Sequence, residues 1–255
     1  MAGFSFSDDS SGGKEPSASR DSSKSSAARD SSSSKKLIGM LFDFLCFRSD
    51  AIAELRSLCD AVASVSEKLL DSISYTRTPQ GIVLLAARPA GDEASFKSSQ
   101  PASPQLVVMH GINNPVNVGA ILRTAEAAGV TGAIAAANTS NPFSPRALRG
   151  AMGSAFRLPI WKGPDYADVI AWCAERGIRT IAASAQAPRS FTEVDWRGAS
   201  ALVIGHESTG LSPEEIALAD EAVRIPMQGS VESLNVAVAA GIILYEANRQ
   251  RVSGL

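Results

Sequence analysis

Little in this 255-residue chain suits a metal or a disulfide. The three cysteines, Cys46, Cys59 and Cys173, lie far apart and form no CxxC or CxxH pair, and there are two histidines, His110 and His206. No metal site and no disulfide framework is expected, and a reducing compartment, the cytoplasm, fits best. No apolar run approaches the ~20 residues of a membrane-spanning helix, so no membrane partner is expected. The N-terminus lacks the basic start and apolar stretch of a secretory signal. The glycines fit neither G-x-G-x-x-G nor a P-loop, which weakens dinucleotide and NTP readings. Excess charge is also missing: 24 Lys and Arg stand against 26 Asp and Glu. A polyanionic partner would have to be met by a local patch. What the chain does have is 45% hydrophobic and 20% charged residues. That excludes fibrous and wholly disordered classes and suits one large domain, or one domain with an appendage.

Residues 1–35 are low in complexity, with 14 serines and almost no apolar content. Such a segment cannot bury enough surface to offset its ordering entropy, so a disordered tail is expected. It is either an inert extension, the product of an early start codon, or a flexible tail that touches RNA or is phosphorylated. From Leu37 onward, Leu41, Phe44, Leu45, Ile52, Leu55, Leu58, Val62, Val65 and Leu69 recur at helical spacing. This predicts one long amphipathic helix or two shorter ones ending near Asp71. A turn at 78–81 and a buried strand over 82–86 follow. Residues 91–104 read as a linker. Over 105–255, apolar runs at 106–109, 132–136, 180–183, 201–204 and 222–225 alternate with helical stretches at 117–128, 145–153, 165–176, 213–219 and 235–250. The pattern predicts an α/β fold with a parallel sheet of about five strands and helices on both faces. Ligands of such sheets bind at the carboxyl ends of the strands, so the loops there deserve the search for chemistry.

Three such loops stand out. The first runs from His110 through Asn113-Asn114-Pro115-Val116-Asn117-Val118-Gly119 to Arg123. Asn117 can cap the helix that opens there, and a helix N-terminus plus an arginine suits a phosphate or carboxylate. The bland reading is a capped helix with a surface arginine. The second is Ile204-Gly205-His206-Glu207-Ser208-Thr209-Gly210. Gly205 lets a ligand approach bare backbone, Gly210 permits a sharp turn, and Glu207 could pair with Arg123. An ordinary strand-to-helix turn is the alternative. The third is Ile225-Pro226-Met227, then Ser233-Leu234-Asn235-Val236-Ala237. Ser233 or Asn235 caps a helix that is apolar nearly all round, buried on a second side by a dimer partner or by the core of the chain itself. His110 and His206 read as loop fillers, and Cys173 as packing.

In this order and spacing the three strings resemble the signature motifs of the SpoU/TrmH family of RNA ribose 2′-O-methyltransferases, in the SPOUT class. The stretch from Pro142 to Pro159, with Arg146, Arg149-Gly150-Ala151-Met152-Gly153 and Leu158-Pro159, is similar to the family as well. The resemblance covers essentially all of 105–250. It implies a C-terminal trefoil knot, an exception to unknotted topology. It also implies S-adenosylmethionine as cofactor and a homodimer with the knot at the interface. Gly205, Ile225 and Leu234 would hold the adenosine part, with Met227, Ser233 and Ile204 beside it. Arg123 matches the family's essential arginine. A guanidinium is effectively always protonated, so gripping an RNA phosphate and stabilising the alkoxide suits it better than acting as base. Asn117 would orient Arg123 or the ribose, Glu207 would hold the arginine, and Ser233 and Asn235 would line the ribose pocket.

Many family members carry an N-terminal substrate-binding domain resembling ribosomal protein L30e. Here the piece from Leu70 to Val83 resembles its last part, so residues 36–90 read as a shortened version, or the gene's true start differs. RNA affinity would rest on local arginines such as Arg123, Arg146, Arg149 and Arg157. Three hypotheses follow: a methyltransferase acting on ribosomal RNA first and transfer RNA second, a non-catalytic RNA-binding relative, and an unrelated α/β nucleotide enzyme. The preference for ribosomal RNA rests on family analogy.

Overall fold

The computed structural model describes residues 37–43, 56–74 and 81–253. Two sheets organise them. The first has the order β2-β1-β3, built from β1 (Leu37–Asp43), β2 (Cys59–Val65) and β3 (Ile82–Ala86). β1 pairs with β2 in parallel and with β3 antiparallel. The strand expected over 82–86 is therefore present but not buried, with Leu84 43% and Leu85 53% exposed, and the helix expected from Leu37 is not there. The run Leu37-Ile38-Gly39-Met40-Leu41-Phe42 is short and almost continuously apolar, and such a run carries no period that separates strand from helix. Its central place, hydrogen-bonded to a strand on each side, decides for the strand. Cys59–Val65 is likewise a strand, held at the sheet edge by β1 alone, and Glu67–Ile73 (α1) is helical, its first turn capped by Ser66 accepting from the Leu69 N–H. Phe44, Leu45, Ile52 and Leu55 lie outside the described residues, as do residues 1–35.

The stretch expected as a linker also contains structure. Asp92 accepts the N–H of Ser95 at 2.8 Å and opens helix α2 (Glu93–Ser98). Phe96 is only 2% exposed and its ring sits 5.8 Å from that of Trp172 and 6.2 Å from that of Trp161. Glu93 accepts the Trp172 indole N–H at 2.8 Å. An anchored aromatic, not loop composition, sets this segment.

The second sheet has seven strands in the order β6-β5-β4-β9-β7-β10-β8, all parallel. They are β4 (Gln105–Met109), β5 (Gly132–Ala135), β6 (Ile160–Lys162), β7 (Arg179–Ala183), β8 (Arg189–Ser190), β9 (Ser200–Ile204) and β10 (Glu221–Arg224). Five match the expected runs. The two short edge strands β6 and β8 are additional, since three and two residues leave too little pattern to read. Alternation along β4 serves two cores. Val107 and Met109 face helices α3 (Pro115–Ala127) and α8 (Val236–Val252), while Leu106 and Val108 pack with Phe96, Trp161 and helix α6 (Tyr166–Ala174). Helices, α5 (Ser154–Arg157) and α7 (Pro213–Leu218) among them, thus cover both faces, as a buried parallel sheet requires.

α3 and helix α4 (Pro145–Ala151) approach very closely. A Cβ on Gly119 would stand 2.2 Å from the carbonyl oxygen of Ala147 and 3.0 Å from the Cα of Gly150. Only glycine allows this crossing, which fixes the helix that carries Asn117 and Arg123.

Candidate active site

β4 and β9 are neighbours, with Met109 opposite Ile204. The loops that leave their carboxyl ends therefore start side by side, and the His110 N–H donates to the Ile204 carbonyl at 2.9 Å. The first loop ends at Asn114, whose Oδ1 accepts the Val116 N–H at 2.9 Å, with Pro115 at the first helical position. Asn114, not Asn117, is the cap: proline needs no N–H partner and its fixed φ starts the helix there. Asn117 is left inside the first turn with its side chain free for other work.

The second loop folds tightly on itself. His206 and Gly210 form a β-bridge, and Gly210 has φ +68°. A Cβ on Gly205 would lie 2.5 Å from the carbonyl carbon of Gly210 and 2.6 Å from the Leu211 nitrogen. This turn presents Glu207 to the first loop. Its two oxygens accept the N–H of Asn113 at 3.0 Å and of Asn114 at 2.9 Å, and Asn117 Nδ2 donates to Oε1 at 3.2 Å. Partial burial pushes the Glu207 carboxyl up, but the N–H groups of Asn114 and Asn113 and the Asn117 amide outweigh it and hold it below the ordinary carboxylate range.

The third loop joins through Asn235. Its Oδ1 caps α8 by accepting the Ala237 N–H at 2.9 Å and that of Val238 at 3.4 Å, while its Nδ2 donates to Asn117 Oδ1 at 3.3 Å. Glu207, Asn117 and Asn235 thus form one relay, with Asn117 at its centre bonded to residues 90 and 118 positions downstream. Arg123 is not part of it. It is exposed and makes no hydrogen bond or ion pair among the described residues, so the expected Glu207–Arg123 pair does not form. The carboxylate is already engaged by three donors.

Beside the relay lies a cavity of about 310 Å³. Of the sequence-derived residues, Ile204, Gly205, Glu207, Ile225, Met227, Ser233 and Leu234 line it, whereas Arg123, Asn117 and Asn235 do not. Ala183–Gln186 also line it, a wall not singled out in the sequence. Its signal was positional: it follows a parallel strand, β7, where ligands of such sheets gather. The lining combines apolar Ile204, Ile225 and Leu234 with the carboxylates of Glu207 and Glu232. A cavity with apolar walls, bare backbone at Gly205 and negative charge suits a molecule with an aromatic base and a cationic end, as S-adenosylmethionine has.

His110, Tyr166 and Cys173 are structural. His110 Nε2 meets Glu215 at 2.8 Å, and its ring lies 4.7 Å from that of Tyr166. Burial, with the Glu215 charge second, pushes the Tyr166 phenol up to about 12, and burial pushes the Cys173 thiol to about 12. Both stay protonated.

Comparison with known proteins identifies the family. The model of the SpoU rRNA Methylase family matches residues 104–245. A 23S rRNA (guanosine-2′-O-)-methyltransferase, RlmB, of Vibrio vulnificus is 31% identical over 204 residues, 78% of this chain and 82% of its own length. The RlmB of Bordetella pertussis is 36% identical over 194 residues, 74% and 78% of the two chains. Among solved structures, the SpoU methyltransferase AviRb from Streptomyces viridochromogenes in complex with the cofactor AdoMet superposes with a TM-score of 0.79 at 29% identity, over 87% of this chain and 86% of that one. With its three loop motifs joined at the carboxyl ends of a parallel sheet, and with relatives of this identity over most of its length, the chain belongs to the SpoU rRNA methylase family.

Proposed function

We propose that this protein transfers the methyl group of S-adenosylmethionine to a ribose 2′-hydroxyl of ribosomal RNA. The observation that carries the reading is the Glu207–Asn117–Asn235 relay standing beside the cavity that Gly205, Ile225 and Leu234 line. S-adenosylmethionine, when bound, supplies an electrophilic methyl on a sulfonium. The remaining work falls to the chain. Gly205, Ile225 and Leu234 hold the adenosine part against backbone, with Ile204, Met227 and Ser233 beside it. Asn117 and Asn235 present a fixed carboxamide pair for the ribose, and Ser233 adds a hydroxyl to that pocket. Glu207 sets their orientation by locking the first loop. Arg123, exposed and unpaired, is free to grip an RNA phosphate and to stabilise the oxyanion that develops as the 2′-hydroxyl loses its proton.

Three further features belong to the same reading. The C-terminal chain closes a trefoil knot around the cofactor cavity. Residues 36–90 form a shortened substrate-binding segment related to ribosomal protein L30e, joined through 91–104 to a methyltransferase domain over 105–255. The enzyme is a homodimer working on RNA in the cytoplasm. For the dimer the support is α8: Val238, Ile242 and Tyr245 are 51%, 36% and 52% exposed and fall on one face at i, i+4 and i+7. Its opposite face, with Ala240, Ile243, Leu244 and Ala247, is buried in the core.

The test is methyl transfer from labelled S-adenosylmethionine to unmodified ribosomal RNA, with transfer RNA in parallel, followed by alkaline hydrolysis. A 2′-O-methyl blocks cleavage at its own linkage, so label is expected in alkali-resistant dinucleotides from ribosomal RNA. Label in mononucleotides means base methylation and overturns the assignment. Label in transfer RNA alone changes the substrate.

A further inference from the structure

A second link between the first two loops lies outside the relay. His206 Nδ1 is 3.1 Å from the backbone nitrogen of Ser208 and 3.0 Å from its hydroxyl, and Nε2 is 3.0 Å from the Asn113 carboxamide atom placed as Nδ2. A backbone N–H can only donate, so Nδ1 accepts and carries no proton. In the neutral imidazole the proton then sits on Nε2. An Nε2–H needs an acceptor opposite it. The two ends of a carboxamide have nearly the same shape, so the hydrogen bonding decides its sense. The Asn113 amide, placed with Nδ2 on His206, is therefore assigned the reverse sense, with Oδ1 toward His206 and the NH₂ group away.

That NH₂ group is held in place. The Asn113 N–H donates to Glu207 at 3.0 Å, and its carbonyl accepts from the Ser140 hydroxyl. With the backbone clamped on both sides, only the side-chain torsions remain free, and His206 fixes the orientation of the amide. Asn113 is exposed, and no described residue bonds the outer end of its carboxamide. It does not line the cavity, whereas His206 does. The result is a pre-oriented, exposed donor four residues before Asn117.

We infer that Asn113 Nδ2 donates a hydrogen bond to a ribose or phosphate oxygen of the bound RNA, and that His206 is the positioning residue that aims it. The inference rests on the proposed RNA methyltransferase function. Asn113→Asp keeps an acceptor for His206 but replaces the outward donor with an anion. In steady-state assays on ribosomal RNA transcribed in vitro, it raises the KM for RNA by roughly tenfold or more, the scale of one charge-assisted hydrogen bond. Its kcat and its affinity for S-adenosylhomocysteine, measured by calorimetry, stay near wild type, which also reports that it is folded. His206→Ala raises the RNA KM in the same direction, and the double variant of Asn113→Ala and His206→Ala is no worse than Asn113→Ala alone, because His206 acts through Asn113. With two histidines in the chain, ring ¹⁵N spectra are simple. The signal lost in His206→Ala shows a bare Nδ1 and a protonated Nε2. An unchanged RNA KM in Asn113→Asp, additive effects in the double variant, or a protonated Nδ1 in His206 overturns the inference. A wild-type enzyme that transfers no methyl to this RNA overturns the proposed function and, with it, the role of Asn113, and that failure shows before any variant is made.

Discussion

Glu207 and Asn117 stand 90 residues apart in sequence and meet through one 3.2 Å hydrogen bond, the point at which the second loop takes hold of the first. The same carboxylate accepts the N–H of Asn113 and Asn114, so a single side chain sets the geometry of the whole first motif.

Glu207→Gln replaces one acceptor oxygen with an NH₂ group that faces an N–H donor. We expect kcat/KM to fall by about tenfold, on the scale of a lost hydrogen bond to a charged group. The pH dependence follows from the sign of the shift. The folded carboxyl is held below its ordinary 4.5, so its stabilising contribution is complete above that value and is lost as pH falls through the lower folded value. Acid unfolding curves of wild type and Glu207→Gln should converge at low pH. Parallel curves down to the acid limit would show that Glu207 contributes nothing of this kind.

Arg123→Ala should reduce methyl transfer by about a hundredfold or more, the scale of losing one group that stabilises developing charge. Cofactor affinity should be intact, since Arg123 does not line the cavity. Single-turnover rates and S-adenosylhomocysteine calorimetry separate the two. Loss of both in a folded variant refutes the division between the cavity and the exposed arginine.

Gly205→Ala places a methyl group 2.5 Å from the Gly210 backbone. The loop must move, and backbone gives way less readily than a side chain, so a cost of about 1–3 kcal/mol is expected. Cofactor affinity should drop by roughly tenfold or more. A variant with wild-type affinity in calorimetry would mean that the loop does not cradle the cofactor.

At the far end of α8, the Arg251 guanidinium donates to the carbonyls of Trp196 at 2.9 Å, Pro104 at 3.4 Å and Gly198, while Gln250 bonds the Trp196 nitrogen and the Val194 carbonyl, each at 3.0 Å. Arg251 itself meets carbonyls rather than a carboxylate, and burial lowers the guanidinium's pKa without discharging it. Arg251→Ala should cost about 1–3 kcal/mol of stability. A chemical-denaturation midpoint equal to wild type would show that the clasp is idle.

Val238→Glu combined with Tyr245→Glu places two charges on the exposed face of α8. If that face meets a second copy, burying them there is prohibitive. Light scattering should report a monomer where wild type gives a dimer. A double variant that remains dimeric places the interface elsewhere.

How much of this was legible in the chain depends on how local the signal is. The five longer strands of the parallel sheet and the helices between them follow from alternating apolar runs, and the three loop motifs were readable with their residues, because glycine, proline and asparagine act on their own stretch of backbone. The residues Gly205, Ile225, Met227 and Leu234 were named from the resemblance of those motifs to the family, and all four line one cavity. The N-terminal stretch was misread for the opposite reason: Leu37–Asp43 becomes a strand only because β2 and β3 supply partners on both sides. Helix α2 depends on Phe96 finding Trp161 and Trp172, more than 60 residues downstream. The sequence by itself determined the longer strands and helices over 105–255 and the three loop motifs, but not the edge strands β6 and β8 or the Ala183–Gln186 wall. Tertiary structure alone decided the pairing. It gave Glu207 to the first loop and Asn117, left Arg123 unengaged, and made Asn114 the cap. Hydrogen-bond partners at such separations are chosen by which strands lie side by side, and strand order is a property of the packed sheet.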